Sequence, residues 1–92
     1  MFEVTYSKIA VKFLKKLPRE KQEHILSVVE RARIRPENYF ERLVGDKSYK
    51  LRAGEYRIIA DIFRSELKIL VVKIGHRKNI YKWLLLINSR TR

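Results

Sequence analysis

Six residues in the second half of the chain have the side chains that phosphate chemistry needs: Lys50, Arg52, Arg57, His76, Arg77 and Tyr81. Cleavage of RNA by its own 2′-hydroxyl needs a base for that hydroxyl and cations for the charge that builds around phosphorus. It also needs an acid for the leaving 5′-oxygen. An imidazole titrates near neutral pH and serves as acid or base, which makes His76 a candidate for proton transfer. Guanidinium groups bridge phosphate oxygens as negative charge develops, a role open to Arg57 and Arg77. An ammonium favours ionisation of a phenol beside it, as Lys50 would for Tyr81. The reaction requires no metal, thiol or carboxylate pair. The same residue types occur in nucleic-acid binders that catalyse nothing, so the set alone leaves both readings open.

The elements that must position these residues follow from pattern. Three β-branched runs read as strands over Ser48–Arg52, Tyr56–Arg64 and Lys68–Ile74. The Ala53-Gly54-Glu55 and Ser65-Glu66-Leu67 connections are short, so consecutive strands are expected to be antiparallel. Alternation puts Tyr56, Ile58, Ala60 and Ile62 on one face of the central strand and Arg57, Ile59, Asp61 and Phe63 on the other. Arg57 then has two readings, a ligand-binding cation or one half of a structural ion pair with Asp61 or Glu55. Lys50 and Arg52 share a face of the neighbouring strand. Gly75 allows the chain to turn sharply, bringing His76, Arg77 and Tyr81 toward the same concavity.

Upstream, Phe2–Tyr6 alternates as a first strand, and Ser7 suits the N-cap of a short amphipathic helix that mixes Ile9, Val11, Phe13, Leu14 and Leu17 with lysines. Pro18 ends that helix and opens a second, which runs to about Arg35 with Ile25, Val28, Val29 and Ala32 inward and His24 on a solvated face. Asn38 to Lys47 reads as a connection, with Tyr39, Phe40 and Leu43 over an edge of the core. A final short helix is expected from Lys78 to about Asn88, with Ile80, Trp83, Leu84 and Ile87 on one face. The apolar run from Trp83 either folds onto the core or borders a groove for a partner. The fold class is α+β: an N-terminal strand and a helical hairpin on one face of a mainly antiparallel four-stranded sheet, with a short C-terminal helix. The open sheet face is the place for a ligand.

Composition narrows the function classes. Ninety-two residues make one domain, 1–92, with a small core. There is no cysteine, which excludes disulfides, thiolate catalysis and cysteine-ligated zinc, and two distant histidines offer no metal site. No cofactor is expected. No signal-peptide pattern opens the sequence, and no apolar run approaches the roughly 20 residues of a membrane span, so a cytoplasmic domain is expected. The net charge of +12 is uneven: ten Lys/Arg and seven Asp/Glu to residue 46, then twelve against three. Basic charge gathered in one half is the footprint of a polyanion binder, with a merely solubilising lysine-rich surface as the alternative.

Two segments resemble the RelE/ParE superfamily of toxins from toxin–antitoxin modules, its RelE-like branch in particular: Tyr49-Lys50-Leu51-Arg52-Ala53-Gly54-Glu55-Tyr56-Arg57-Ile58-Ile59 and Val72-Lys73-Ile74-Gly75-His76-Arg77-Lys78-Asn79-Ile80-Tyr81. The resemblance spans nearly the whole chain in element order. It implies a metal-independent endoribonuclease that cuts mRNA, commonly in the ribosomal A site, and a cognate antitoxin that covers the basic face. Arg57 and Arg77 would match the family's phosphate- and transition-state-binding arginines, Tyr81 the tyrosine that activates the 2′-hydroxyl, and Lys50 a strand lysine, with His76 beside them. Lys47, Arg52, Lys73 and Lys78 would complete the RNA contacts. Ser48 stands where the family has a second catalytic lysine, and His76 where its best-known ribosome-dependent member has lysine. The ParE branch shares the fold and targets DNA gyrase, which is the alternative activity.

Overall fold

The central strand of the sheet, β4 (Tyr56–Phe63), lies between β3 (Tyr49–Ala53) and β5 (Lys68–His76) in antiparallel pairing. β1 (Glu3–Tyr6) runs parallel to β5 on one edge, and the two-residue β2 (Glu41–Arg42) pairs with β3 on the other. The sheet therefore has five strands in the order β1-β5-β4-β3-β2. The expected count of four omits β2, which is too short to show a period-2 pattern. This computed structural model describes residues 1–90, with side chains described to residue 86.

The helices α1 (Lys8–Lys15) and α2 (Arg19–Ala32) cover one face of the sheet. Ala10 and Leu14 of α1, with Ile25, Val29 and Ala32 of α2, pack on Leu51, Ala53, Tyr56, Ile58, Ala60, Ile69, Val71 and Ile74. Each fully buried isoleucine here contributes roughly 1.5–3 kcal/mol relative to exposure. Ile9, expected among the apolar positions of α1, is 58% exposed, and Ala10 takes the inward place. α2 ends at Ala32 rather than Arg35, and Pro36, fully buried, opens a turn of 3₁₀ helix over Pro36–Asn38. Phe40 reaches the core, as expected of that connection, while Tyr39 is 45% exposed.

Ser7 ties the N-terminal elements to β5. Its hydroxyl accepts from the Ala10 amide at 3.1 Å, capping α1, and donates to the Val72 carbonyl at 2.6 Å. Val72 is the extra residue of a β-bulge: Ile59 pairs with Lys73, but the next residue, Ala60, pairs with Val71. One inserted residue reverses the in–out phase of the strand beyond it. Ile69 and Val71 face the helical hairpin before the bulge, and Ile74 faces it afterwards.

The C-terminal helix α3 (Arg77–Arg90) begins with no linker after β5 and is longer than the short helix expected. It lies on the sheet face opposite the hairpin, where Ile80 and Ile59 are 1% and 2% exposed, both outside the hairpin-side cluster. Trp83 and Leu84 are half-buried, whereas Leu85 and Leu86 are 68% and 64% exposed; the Ile87 side chain lies outside those described. No helix among the described residues is long and apolar enough to cross a membrane.

Candidate active-site cleft

The β3–β4 hairpin sets the first part of the site. Gly54, at φ +61°, takes the first central position of a two-residue turn, where a positive φ suits glycine. That turn pairs Arg52 directly with Arg57, and Lys50 with Ile59, on the sheet face away from the hairpin. With Tyr39, Glu41 and Tyr81, these three cations line an open cleft of about 260 Å³.

Like charges directly opposite on an antiparallel pair are destabilising, by roughly 0.2–1 kcal/mol. Among the described residues neither Arg52 nor Arg57 forms an ion pair, although Glu41 lines the same cleft. Arg57 Nη1 donates to the carbonyls of Gly54 and Tyr56 at 2.8 and 2.9 Å, which aims the guanidinium without neutralising it. Asp61, its expected structural partner, accepts instead from the Ser48 hydroxyl at 2.8 Å. Glu55, the other, faces Lys21 at 4.0 Å and His76 at 3.8 Å. Lys50 Nζ is 3.9 Å from Glu41, whose side chain is 76% exposed. An ion pair so exposed is worth roughly 0–1 kcal/mol, so it does little to tie Lys50 down.

α3 supplies the far wall. A Cβ at Gly75 would sit 3.1 Å from Ile80 Cδ1, so the bare backbone there is what lets the helix lie close. Tyr81, next in sequence, lines the cleft. Arg77, expected beside it, is four residues earlier and on the same helix face as Tyr81, but it is not among the residues that line the cleft. Arg77 and Lys78 are exposed, and the first turn of α3 has no acidic residue to balance them or the positive end of the helix dipole.

The other expected site residues are placed elsewhere. Lys73 lies with its Nζ 5.5 Å from the centre of the Trp83 ring, a cation–π contact under α3. Lys47 is exposed in the loop before β3, away from the cleft lining. His76 does not join the cleft. The Val72 bulge turns it to the hairpin side, where its ring meets Tyr56 edge-on at 5.8 Å, and Tyr56 in turn meets Phe13 at 6.0 Å. Without the bulge, strict alternation from Ile69 and Val71 would have put His76 on the cleft side. Tyr39 and Glu41 are the cleft residues that sequence reasoning missed; the pairing of Glu41 with Lys50 in β2 brings them there.

A larger hollow of about 720 Å³ lies between α2 and the β3–β4 turn, lined by Glu20, Lys21, Glu23, His24 and Glu55 among others. Its three glutamates outnumber Lys21 and His24, whereas the smaller cleft sets three cations, Lys50, Arg52 and Arg57, against the single carboxylate of Glu41, beside the Tyr81 phenol. Two arginines, a lysine and a tyrosine thus converge with Tyr39 and Glu41 in an open groove on an α+β scaffold.

Residues 4–81 match the family model described as the ParE toxin of type II toxin–antitoxin system, parDE. The chain belongs to that family, and so to the RelE/ParE superfamily of type II toxins. Among solved structures, a RelBE toxin–antitoxin complex from Mycobacterium tuberculosis matches with a TM-score of 0.76 at 18% identity, covering 82% of this chain and 96% of that one. An archaeal RelE–RelB complex from Pyrococcus horikoshii matches with a TM-score of 0.68 at 25% identity, over 83% and 94%. The intact Escherichia coli RelBE complex gives 0.69 at 21%, over 83% and 96%. The comparison with curated proteins gives no significant match.

Proposed function

We propose that this toxin is a metal-independent endoribonuclease that cuts mRNA on the ribosome in the cytoplasm and so inhibits translation. The carrying observation is the cleft in which Arg52 and Arg57 stand opposed, neither in an ion pair, beside Lys50 and Tyr81. A phosphate diester relieves the repulsion of the two arginines and takes charge-assisted hydrogen bonds from both. Tyr81, acting as a phenolate beside the cleft cations, accepts the proton of the 2′-hydroxyl, whose oxygen attacks phosphorus; Arg57 and Arg77 hold the charge that develops. The bond from phosphorus to the 5′-oxygen breaks, and that oxygen takes a proton from the Lys50 ammonium. The products are a 2′,3′-cyclic phosphate and a 5′-hydroxyl. Lys47 and Lys78 flank the path of the strand as sequence-independent phosphate contacts. The cognate antitoxin is a protein whose acidic segment covers the basic face and whose apolar side chains meet Leu85 and Leu86; the RelB complexes among the structural neighbours support this.

End-group analysis tests the chemistry: in translating extract containing the toxin, new 5′-hydroxyl and cyclic-phosphate ends form whether or not EDTA sequesters free divalent ions beyond the ribosome's requirement. Ends of another kind would overturn it. One observation favours a second reading, since the matching family model bears the ParE description. A gyrase-directed toxin inhibits supercoiling and leaves mRNA ends unchanged.

A further inference from the structure

The turn from β5 into α3 has no linker, so the first amides of the helix need partners at once. The Arg77 amide donates to the Glu55 carbonyl at 2.8 Å. The Lys78 amide donates to His76 Nδ1 at 3.1 Å. A side-chain acceptor on the residue before the helix, bonded to its second amide, is the geometry of an N-cap. An imidazole fills that place only when Nδ1 is unprotonated, with the ring proton on Nε2. Nε2 faces Glu55 Oε1 at 3.8 Å, beyond a direct hydrogen bond but close enough for the carboxylate to favour a proton there. The Tyr56 ring holds the imidazole edge-on.

We infer that His76 is the N-cap of α3 and a positioning residue, whose neutral imidazole holds the helix so that Tyr81 stands over the cleft. Protonation turns Nδ1 into a donor facing the Lys78 N–H, and adds positive charge at the positive end of the helix dipole beside Arg77 and Lys78. Glu55, itself within 4.0 Å of Lys21 on α2, pulls the other way by attracting the imidazolium. Acidification therefore exchanges the cap for an ion pair with Glu55 and loosens the first turn of the helix that carries Tyr81. The consequence for catalysis rests on the role of Tyr81 proposed above; the cap itself does not.

The test uses the whole chain with His76→Asn, whose side-chain oxygen caps without titrating near neutral pH, and His76→Ala, which removes the acceptor. Ring ¹⁵N shifts of the wild type should show the Nε2–H tautomer. Exchange of the Lys78 amide, taken relative to its intrinsic rate at each pH, should quicken about tenfold as the imidazole protonates, remain independent of that titration in His76→Asn, and be quick at every pH in His76→Ala. RNA cleavage should follow: His76→Asn stays within a few-fold of wild type and loses the acid limb, while His76→Ala falls about tenfold. An Nδ1–H tautomer, or Lys78 exchange indifferent to the imidazole titration, overturns the cap. Activity lost equally in both variants, with Lys78 protected in His76→Asn, makes His76 an acid–base group and overturns the positioning role. A wild type that cuts no RNA removes the proposed function while the exchange data still decide the cap.

Discussion

Ser7 joins two features that lie 65 residues apart, the start of α1 and the bulge in β5. Ser7→Ala removes both hydrogen bonds at once. Loss of an N-cap acceptor costs about 1 kcal/mol. The Val72 carbonyl, part-buried, loses its donor and costs about another 1 kcal/mol. The expected loss is thus about 2 kcal/mol, a large share of the stability of a domain this small. At roughly 4–8 °C per kcal/mol, the melting temperature should fall by about 8–16 °C. Ser7→Thr keeps an oxygen that accepts and donates, and should stay within about 0.5 kcal/mol of wild type. Urea denaturation of the three proteins measures this, and amide exchange should quicken first at Ala10 and around Val72. A Ser7→Ala protein as stable as Ser7→Thr would refute the claim that one hydroxyl secures both the helix start and the phase of β5.

Gly75→Ala presses a methyl against Ile80 and should cost roughly 1–3 kcal/mol with a loss of RNA cleavage, both recovered in part by adding Ile80→Val, which removes the offending Cδ1; a harmless Gly75→Ala would contradict the close seating of α3. Arg52→Thr should raise stability by roughly 0.2–1 kcal/mol in urea denaturation by ending the cross-strand repulsion. The same change should weaken single-stranded RNA binding and reduce its salt slope by about 0.7, measured by titration at several salt concentrations. Tyr6 has its phenol pushed up to about 12 from 10.0, mainly by burial, with Glu30 adding and Arg33 opposing. Folding therefore favours the neutral phenol, a contribution present in full below pH 10 and lost as pH rises toward 12. Wild type should lose stability relative to Tyr6→Phe across that window in paired denaturation curves, and a constant difference would contradict it.

The elements that carry strong period or turn chemistry could be read directly from the residues. The alternation of β4 put Arg57 on the open face, the Gly54 turn set it beside Arg52 and Lys50, and the spacing of Ile80 and Trp83 marked the inward side of α3. Two things were hidden. The β-bulge at Val72 leaves no mark in composition, since Val71 and Val72 are both apolar, yet it decides which side of the sheet receives His76. The strand Glu41–Arg42 is too short for any pattern, so Glu41 and the adjoining Tyr39 enter the cleft only through pairing with β3. Asp61 and Glu55 were both within sequence reach of Arg57; only the positions of Ser48, Lys21 and His76 show that each has another partner.

The cleavage-site map of mRNA in translating extract, recorded with wild type, Arg57→Ala and Tyr81→Phe, bears most directly on the role of the cleft. Wild type should produce discrete new ends within translated sequence, and both variants should lose them while remaining folded and, for Tyr81→Phe, still binding RNA. Identical maps from all three proteins, or no ends from wild type alongside inhibition of supercoiling, would contradict an RNA-cutting cleft built from Arg57 and Tyr81.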